Sequence, residues 1–137
     1  MKSPESKRTI RVVAAVIAQN GRYLITQRRP AAVLPLLWEF PGGRVEAGET
    51  DATALKREVL HRLGVDIEPG KLMSFVTHPY ERYSIDLHLY ECVIKSGQPK
   101  PINVNAYAWA TSEEFDGYPF TPADELSMAK LLGLEND

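Results

Sequence analysis

Three polar side chains at helical spacing, Glu58, His61 and Arg62, follow a glycine-rich break at Gly42 and Gly43. Residues at positions i, i+3 and i+4 project from one side of a helix, and glycine lets a backbone approach a charged ligand closely. Carboxylates at all three helix positions would converge on hard cations, which take oxygen ligands. Two such ions can neutralise a diphosphate and activate a water molecule. Because only Glu58 is a carboxylate, the sequence predicts a weakened cation site.

Arg62 places a permanent positive charge where a cation would bind. At ~4 Å and an effective dielectric constant of about 20, two like unit charges repel each other by roughly 4 kcal/mol, and a divalent ion feels about twice that. Glu58 precedes Arg62 by four residues, an arrangement that favours an ion pair along the helix. We therefore expect Glu58 to be paired with its own helix neighbour.

Residues 43–65 resemble the Nudix box. The family pattern is Gly, five residues, Glu, seven residues, then Arg-Glu-aliphatic-x-Glu-Glu-x-Gly-aliphatic. The spacing is intact, and the positions that match are Gly43, Glu49, Arg57, Glu58, Val59, Gly64 and Val65. The departures are His61 and Arg62, which stand where the family has Glu-Glu.

The resemblance is closest to MutT-like and CTP pyrophosphohydrolase-like members. It implies an α/β (α+β) Nudix fold, with a mixed β-sheet sandwiched between helices. It also implies that Glu49 and Glu58 are the residual catalytic and metal-binding carboxylates, with Mg²⁺ or Mn²⁺ as the cofactor if hydrolysis is retained and no cofactor otherwise. MutT-like members usually carry another metal-binding Glu six residues before the tryptophan of the next strand. Here that position, counted back from Trp109, is Asn103.

By the same resemblance, Arg28, Phe40 and Asp124 are substrate-binding residues, and the residue types themselves add Gly42, Gly43 and Arg62 to this set. Arg28 would approach the phosphates or the base, and Phe40 would help to form the base pocket. Asp124 matches the position that supplies Asn or Asp to the base edge, and its carboxylate can accept a hydrogen bond from the exocyclic amine of cytosine or adenine. Arg62 would contact a phosphate in place of one metal ion, because guanidinium geometry suits phosphate.

Three functions follow from these residues. The first is a MutT-like protein that binds a nucleoside di- or triphosphate, or a nucleoside-diphosphate-linked small molecule, with weak or no hydrolase activity. The second is an active metal-dependent pyrophosphohydrolase that converts a nucleoside triphosphate to the monophosphate and pyrophosphate. The third is an interaction module without enzymatic activity.

The resemblance also gives Arg57 a structural role, that of orienting carboxylates in the loop. A second possible metal site, softer and suited to zinc or manganese, consists of His61, Asp86 and His88.

The composition fits one soluble globular domain. The chain has 137 residues and a net charge of −2, which argues against wholesale binding to nucleic acids or anionic membranes. It contains a single cysteine, Cys92, in an apolar-rich run, which favours a packing role and a reducing compartment. No secretory signal or membrane-spanning run precedes the motif, so we expect a cytoplasmic protein. We expect a disordered tail over residues 1–8 and a single domain over residues 9–137.

The elements that must position these side chains can be read from the hydrophobic pattern. A helix is expected over residues 50–63, capped by Thr50 and Gly64, with Ala52, Leu55, Val59 and Leu63 on its buried face. A continuous apolar run predicts a strand over 11–19 that is buried on both faces. Further strands are expected over 23–27, 71–77, 83–94 and 106–110, with an apolar loop over 30–37 and a last helix opening at Pro122.

Overall fold

The computed structural model describes residues 8–131. Within this range the chain forms seven strands, two α-helices and a short 3₁₀ helix. In chain order these are β1 Arg8–Gln19, β2 Arg22–Gln27, β3 Trp38–Glu39, β4 Gly42–Arg44, α1 Asp51–Leu63, β5 Asp66–Pro79, β6 Tyr83–Ser96, β7 Ala106–Ala110, the 3₁₀ helix Ser112–Gly117 and α2 Pro122–Leu131. Of the tail expected over residues 1–8, residues 1–7 lie outside the described residues, whereas Arg8 is the first residue of β1.

Strand β1 is the centre of a mixed sheet. It runs parallel to β6 along most of its length, and its other edge pairs antiparallel first with β4 and then with β2. β5 continues the sheet beyond β6, while β3 and β7 pair with β2. The mixed sheet expected from the sequence is therefore confirmed.

Both faces of β1 are buried, which explains its continuous apolar run. Val13, Ala15 and Ile17 pack into a hydrophobic cluster with the inner face of α1. Ala14 and Val16 point to the opposite face and pack in a second cluster, which includes aromatic residues after β7 and the start of α2. Because side chains alternate across a strand, one strand supplies both halves of the core, and the sheet lies between the two helices as expected.

Helix α1 begins and ends as its capping residues predict. The Thr50 hydroxyl accepts a hydrogen bond from the Thr53 backbone N–H at 3.1 Å, and Gly64 ends the helix in the left-handed region with φ 73°. The predicted buried face is wrong at Ala52, which is exposed, and Ala54 is buried instead. The buried face is shifted toward Glu58, which is itself only 8% exposed.

Four of the five predicted strands, β1, β2, β5 and β6, are longer than the sequence predicts, and β7 has the predicted bounds. β5 was expected from residue 71 but starts at Asp66, because register shifts around Pro69 and Leu72 let the pairing with β6 continue past the proline. Residues 30–37 form the expected loop, with Leu34 and Leu36 in the left-handed region at φ 56° and 64°.

Cys92 is buried in the cluster beneath α1, and burial raises the pKa of its thiol to about 12, as suits a packing residue.

No helix within residues 8–131 is long and apolar enough to cross a membrane.

Candidate functional site

The two glycines of β4 allow close approaches inside the protein. A Cβ atom at Gly42 would collide with the carbonyl oxygen of Val13, its neighbour on β1. A Cβ atom at Gly43 would lie 2.5 Å from Oε2 and 2.7 Å from Oε1 of Glu58. The sequence reading assigned these glycines to a ligand, whereas in the structure they bring β1 and the Glu58 carboxylate against the β4 backbone.

Arg57 holds the two surviving carboxylates in place. Its guanidinium donates to Glu49 at 2.6 and 2.9 Å, to Glu58 Oε2 at 3.1 Å and to the carbonyl oxygen of Arg44 at 2.9 Å. The hydrogen bond from Arg57, helped by the backbone N–H of Glu46, lowers the pKa of Glu49 to about 2. Arg57 therefore has the contacts of the orienting residue that the sequence suggested.

Arg62 forms the ion pair expected with Glu58. Its Nε lies 3.0 Å from Glu58 Oε1, and its Nη1 lies 3.9 Å from Glu39 Oε2. Since Arg57 contacts the other Glu58 oxygen, each oxygen of this carboxylate faces a guanidinium. A divalent cation would have to displace Arg62 and tolerate its charge nearby. The residues present do not fit the magnesium or manganese site that the Nudix resemblance implies.

The alternative metal site at His61, Asp86 and His88 is wrong. His88 lies beside Asp86, with 3.7 Å between Nδ1 and Oδ1, and Asp86 also lies 3.9 Å from Arg11. His61 instead lines a pocket with Arg28. Within residues 8–131, no group of three or more His, Cys, Asp or Glu side chains is placed to hold a metal ion.

A cavity of about 320 Å³ opens between the start of β1, the start of β6, the loop over residues 30–37 and the start of α2. Its polar and aromatic lining includes Arg28, Glu39, Arg44, Tyr80, Tyr83 and Asp124. Its volume lies near the lower end of the range of small-molecule sites, about 300–1,000 Å³. Two residues that sequence reasoning had assigned to the substrate, Arg28 and Asp124, therefore meet at one cavity.

Asp124 is buried at the wall of this cavity. Its Oδ1 accepts a hydrogen bond from the Phe40 backbone N–H at 3.0 Å, and its Oδ2 accepts one from the Thr121 hydroxyl at 2.6 Å. Burial, with a further contribution from the charge of Glu39, raises the pKa of the Asp124 carboxyl. Each oxygen keeps a second lone pair, so the carboxylate can still accept a hydrogen bond from a ligand.

The structure places the Phe40 ring away from the cavity. The ring is 2% exposed and packs against Phe115 and Phe120, with centroids 6.3 Å from each. The prediction that this ring helps to form a base pocket is therefore not met at the cavity, which the ring does not line. Phe40 contributes through its backbone N–H, which positions Asp124.

Glu39 is a site residue that the sequence reading missed. It lies between Arg28 Nη1, at 3.3 Å from each carboxylate oxygen, and Arg62. Burial raises the pKa of the Glu39 carboxyl, and the charges of Arg28 and Arg62 oppose that shift. The alternation of side chains along extended chain could have indicated Glu39, because its neighbour Phe40 points into the core and the Glu39 side chain must then point the other way.

A second pocket, of about 240 Å³, brings together the three positions at which family carboxylates are missing. His61, Arg62 and Asn103 line it together with Arg28 and Arg29. Asn103 Nδ2 donates to the carbonyl oxygen of His61 at 2.8 Å, a contact that a glutamate could not make. Arg28, Arg29 and Arg62 make this pocket basic, whereas the Nudix resemblance leads us to expect carboxylates at positions 61, 62 and 103.

Comparison with known proteins identifies the family. The NUDIX domain profile matches residues 12–130, most of the chain. The chain belongs to the Nudix family. It is 34% identical over 115 residues to the CTP pyrophosphohydrolase of Escherichia coli (strain K12), which covers 84% of this chain and 85% of that protein.

Other Nudix relatives support the MutT-like assignment. The 8-oxo-dGTP diphosphatase of Haemophilus influenzae is 30% identical over 127 residues, covering 92% of this chain and 93% of that protein. The crystal structure of the MutT protein from Methanosarcina mazei Go1 has a TM-score of 0.83 at 23% identity, covering 98% of this chain and 99% of that one, which shows a shared fold.

Proposed function

We propose that this chain is a MutT-like Nudix protein that binds a nucleoside di- or triphosphate and hydrolyses it weakly or not at all. One observation carries the proposal: Glu58 faces Arg62 at 3.0 Å and Arg57 at 3.1 Å. Glu58 is the Nudix box carboxylate nearest to the missing pair. With both its oxygens in contact with arginines, it is poorly placed to hold the ion that such hydrolysis uses.

The larger cavity supports nucleotide binding. Asp124 provides a buried acceptor for an exocyclic amine, and Arg28 lies on the same cavity wall. One relative is named CTP pyrophosphohydrolase, and the cytosine base of CTP carries such an amine. A small molecule linked to a nucleoside diphosphate presents the same phosphate chemistry and belongs to the same ligand class.

The test is release of pyrophosphate or phosphate from a nucleotide panel, with Mg²⁺ and with Mn²⁺. The parent protein is compared with the His61→Glu, Arg62→Glu double variant. We expect the parent to be silent or slow and the variant to turn over, because the variant restores the Nudix box carboxylates. Turnover by the parent at a rate equal to or above that of the variant would overturn the proposal.

An active hydrolase is the second candidate, and one observation favours it. The Arg57 clamp on Glu49 and Glu58 is intact, and Gly43 leaves room for the Glu58 carboxylate. In this case the parent converts a nucleoside triphosphate to the monophosphate and pyrophosphate. Glu58→Gln should then abolish the activity, which also separates it from a contaminating enzyme.

We also propose that residues 9–137 form one domain that works in the cytoplasm. The family match over residues 12–130 leaves little chain outside it. The thiol of Cys92, which is buried and forms no disulfide, is compatible with a reducing compartment.

A further inference from the structure

The pocket of about 240 Å³ has an excess of positive charge. Three arginines line it, and two carboxylates contact them, each shared between two guanidinium groups. Glu39 lies between Arg28 and Arg62, and Glu58 lies between Arg57 and Arg62. Arg29 is exposed and makes no ion pair with any residue of the described range 8–131. The pocket therefore retains cationic donors for an anion.

The end of α1 would normally oppose an anion here. The last carbonyl groups of a helix carry partial negative charge. Asn103 neutralises part of this charge through two hydrogen bonds. Its Nδ2 donates to the carbonyl oxygen of His61 at 2.8 Å, and its backbone N–H donates to the carbonyl oxygen of Arg62 at 3.1 Å. Ile102 N–H also donates to the Arg62 carbonyl at 3.1 Å. These bonds reduce the repulsion that an anion in the pocket would feel.

Arg28 connects the pocket to the larger cavity because it lines both. A ligand with an amine-bearing base beside Asp124 and a chain of phosphates could therefore span the two spaces. The guanidinium groups of Arg28, Arg29 and Arg62 suit phosphate oxygens in the way that metal ions do in other sites.

We propose that this pocket binds the phosphate chain of a nucleoside di- or triphosphate without a divalent cation, with Arg28, Arg29 and Arg62 as its ligands. The inference rests on the nucleotide binding proposed above. It adds that the residues replacing the Nudix carboxylates form a phosphate site of their own. Free polyphosphate shares this chemistry and is distinguished from a nucleotide by the experiment.

The experiment measures binding in EDTA by calorimetry, and by NMR for weak ligands. Three probes are used: tripolyphosphate, cytidine and CTP. Arg29→Ala is the main variant because the exposed Arg29 side chain carries no ion pair whose loss could disturb the fold. Arg22→Ala is its control, since Arg22 is an exposed arginine on β2 that lines no part of this pocket, and its ion pair with Glu114, at 3.6 Å, joins two exposed side chains whose separation costs little stability. Asp124→Asn reports on the larger cavity.

We expect CTP and tripolyphosphate to bind in EDTA and to compete with each other. Arg29→Ala should weaken both about tenfold or more, because a charge-assisted hydrogen bond is lost, while Arg22→Ala changes them less than about twofold. Cytidine affinity should fall in Asp124→Asn and stay unchanged in Arg29→Ala.

Two kinds of result would overturn the proposal separately. If CTP binds only with Mg²⁺, or if Arg29→Ala and Arg22→Ala behave alike, the phosphate site is wrong while nucleotide binding stands. If tripolyphosphate binds but neither cytidine nor CTP does, nucleotide binding itself is wrong, and the role of the pocket in it falls too.

Discussion

Gly43 and Glu58 are in contact across the interface between β4 and α1, and the carboxylate lies where a Cβ atom at position 43 would be. Glu58 is only 8% exposed and is held there by Arg57 and Arg62. The Glu58 carboxylate can therefore occupy this position because residue 43 is glycine, and Arg57 and Arg62 hold it there.

Gly43→Ala should destabilise the protein by about 1–3 kcal/mol, the usual cost of forcing extra atoms into a packed site. Urea unfolding measures it. Gly117→Ala is the control, because a Cβ atom there meets nothing within 4 Å, and a change below about 0.5 kcal/mol is expected. Equal effects for the two variants would mean that the β4–α1 contact is looser than described.

The Glu49–Arg57 ion pair should make stability fall in acid. The pKa of Glu49 is lowered from 4.5 to about 2, so the folded state favours the carboxylate. Its contribution is fully present above pH 4.5 and is lost as pH falls toward 2. The parent should therefore be more stable than Glu49→Gln at pH 7, with the difference shrinking below pH 4.5. Urea unfolding across this range is the measurement, and a difference independent of pH would contradict the prediction.

Asp124→Asn should show the opposite dependence on pH. Burial raises the folded-state pKa of Asp124 above its ordinary value of 3.8, so the folded protein holds this proton more tightly than the unfolded chain. The stabilising contribution is present below pH 3.8 and is lost as pH rises through the folded-state pKa. Relative to the parent, the Asn variant should gain stability as pH rises, while Asn can still accept from Phe40 N–H. A relative loss over that range would contradict the assigned burial.

Phe40→Leu should affect folding more than binding. The ring packs against Phe115 and Phe120 in the core, so its replacement leaves a cavity and lowers the free energy of unfolding by roughly 1–2 kcal/mol. Below the melting temperature of the variant, nucleotide affinity should stay within about twofold of the parent, because the Phe40 N–H that positions Asp124 is unchanged. Calorimetric titration tests this. A large loss of nucleotide affinity in the fully folded variant would mean that the Phe40 ring contacts the nucleotide.

Local features were predictable from the sequence because their causes lie within a few residues. The caps of α1 at Thr50 and Gly64 follow from residue type and position. The Glu58–Arg62 ion pair follows from a four-residue spacing on a helix. The burial of both faces of β1 follows from its unbroken apolar run. The Nudix box spacing sufficed for the family and its fold.

Tertiary structure alone decided which distant residues share a site. Asn103 meets His61 because the segment after β6 crosses the end of α1, and Arg28 meets Glu39 because β3 pairs with β2. Strand pairing between distant segments sets such contacts, and a shift of one residue in register would turn every side chain to the other face. Residue types therefore showed which box positions lack carboxylates, while the packing of the segments after β2 and β6 against the end of α1 determined that His61, Arg62 and Asn103 share one pocket with Arg28 and Arg29.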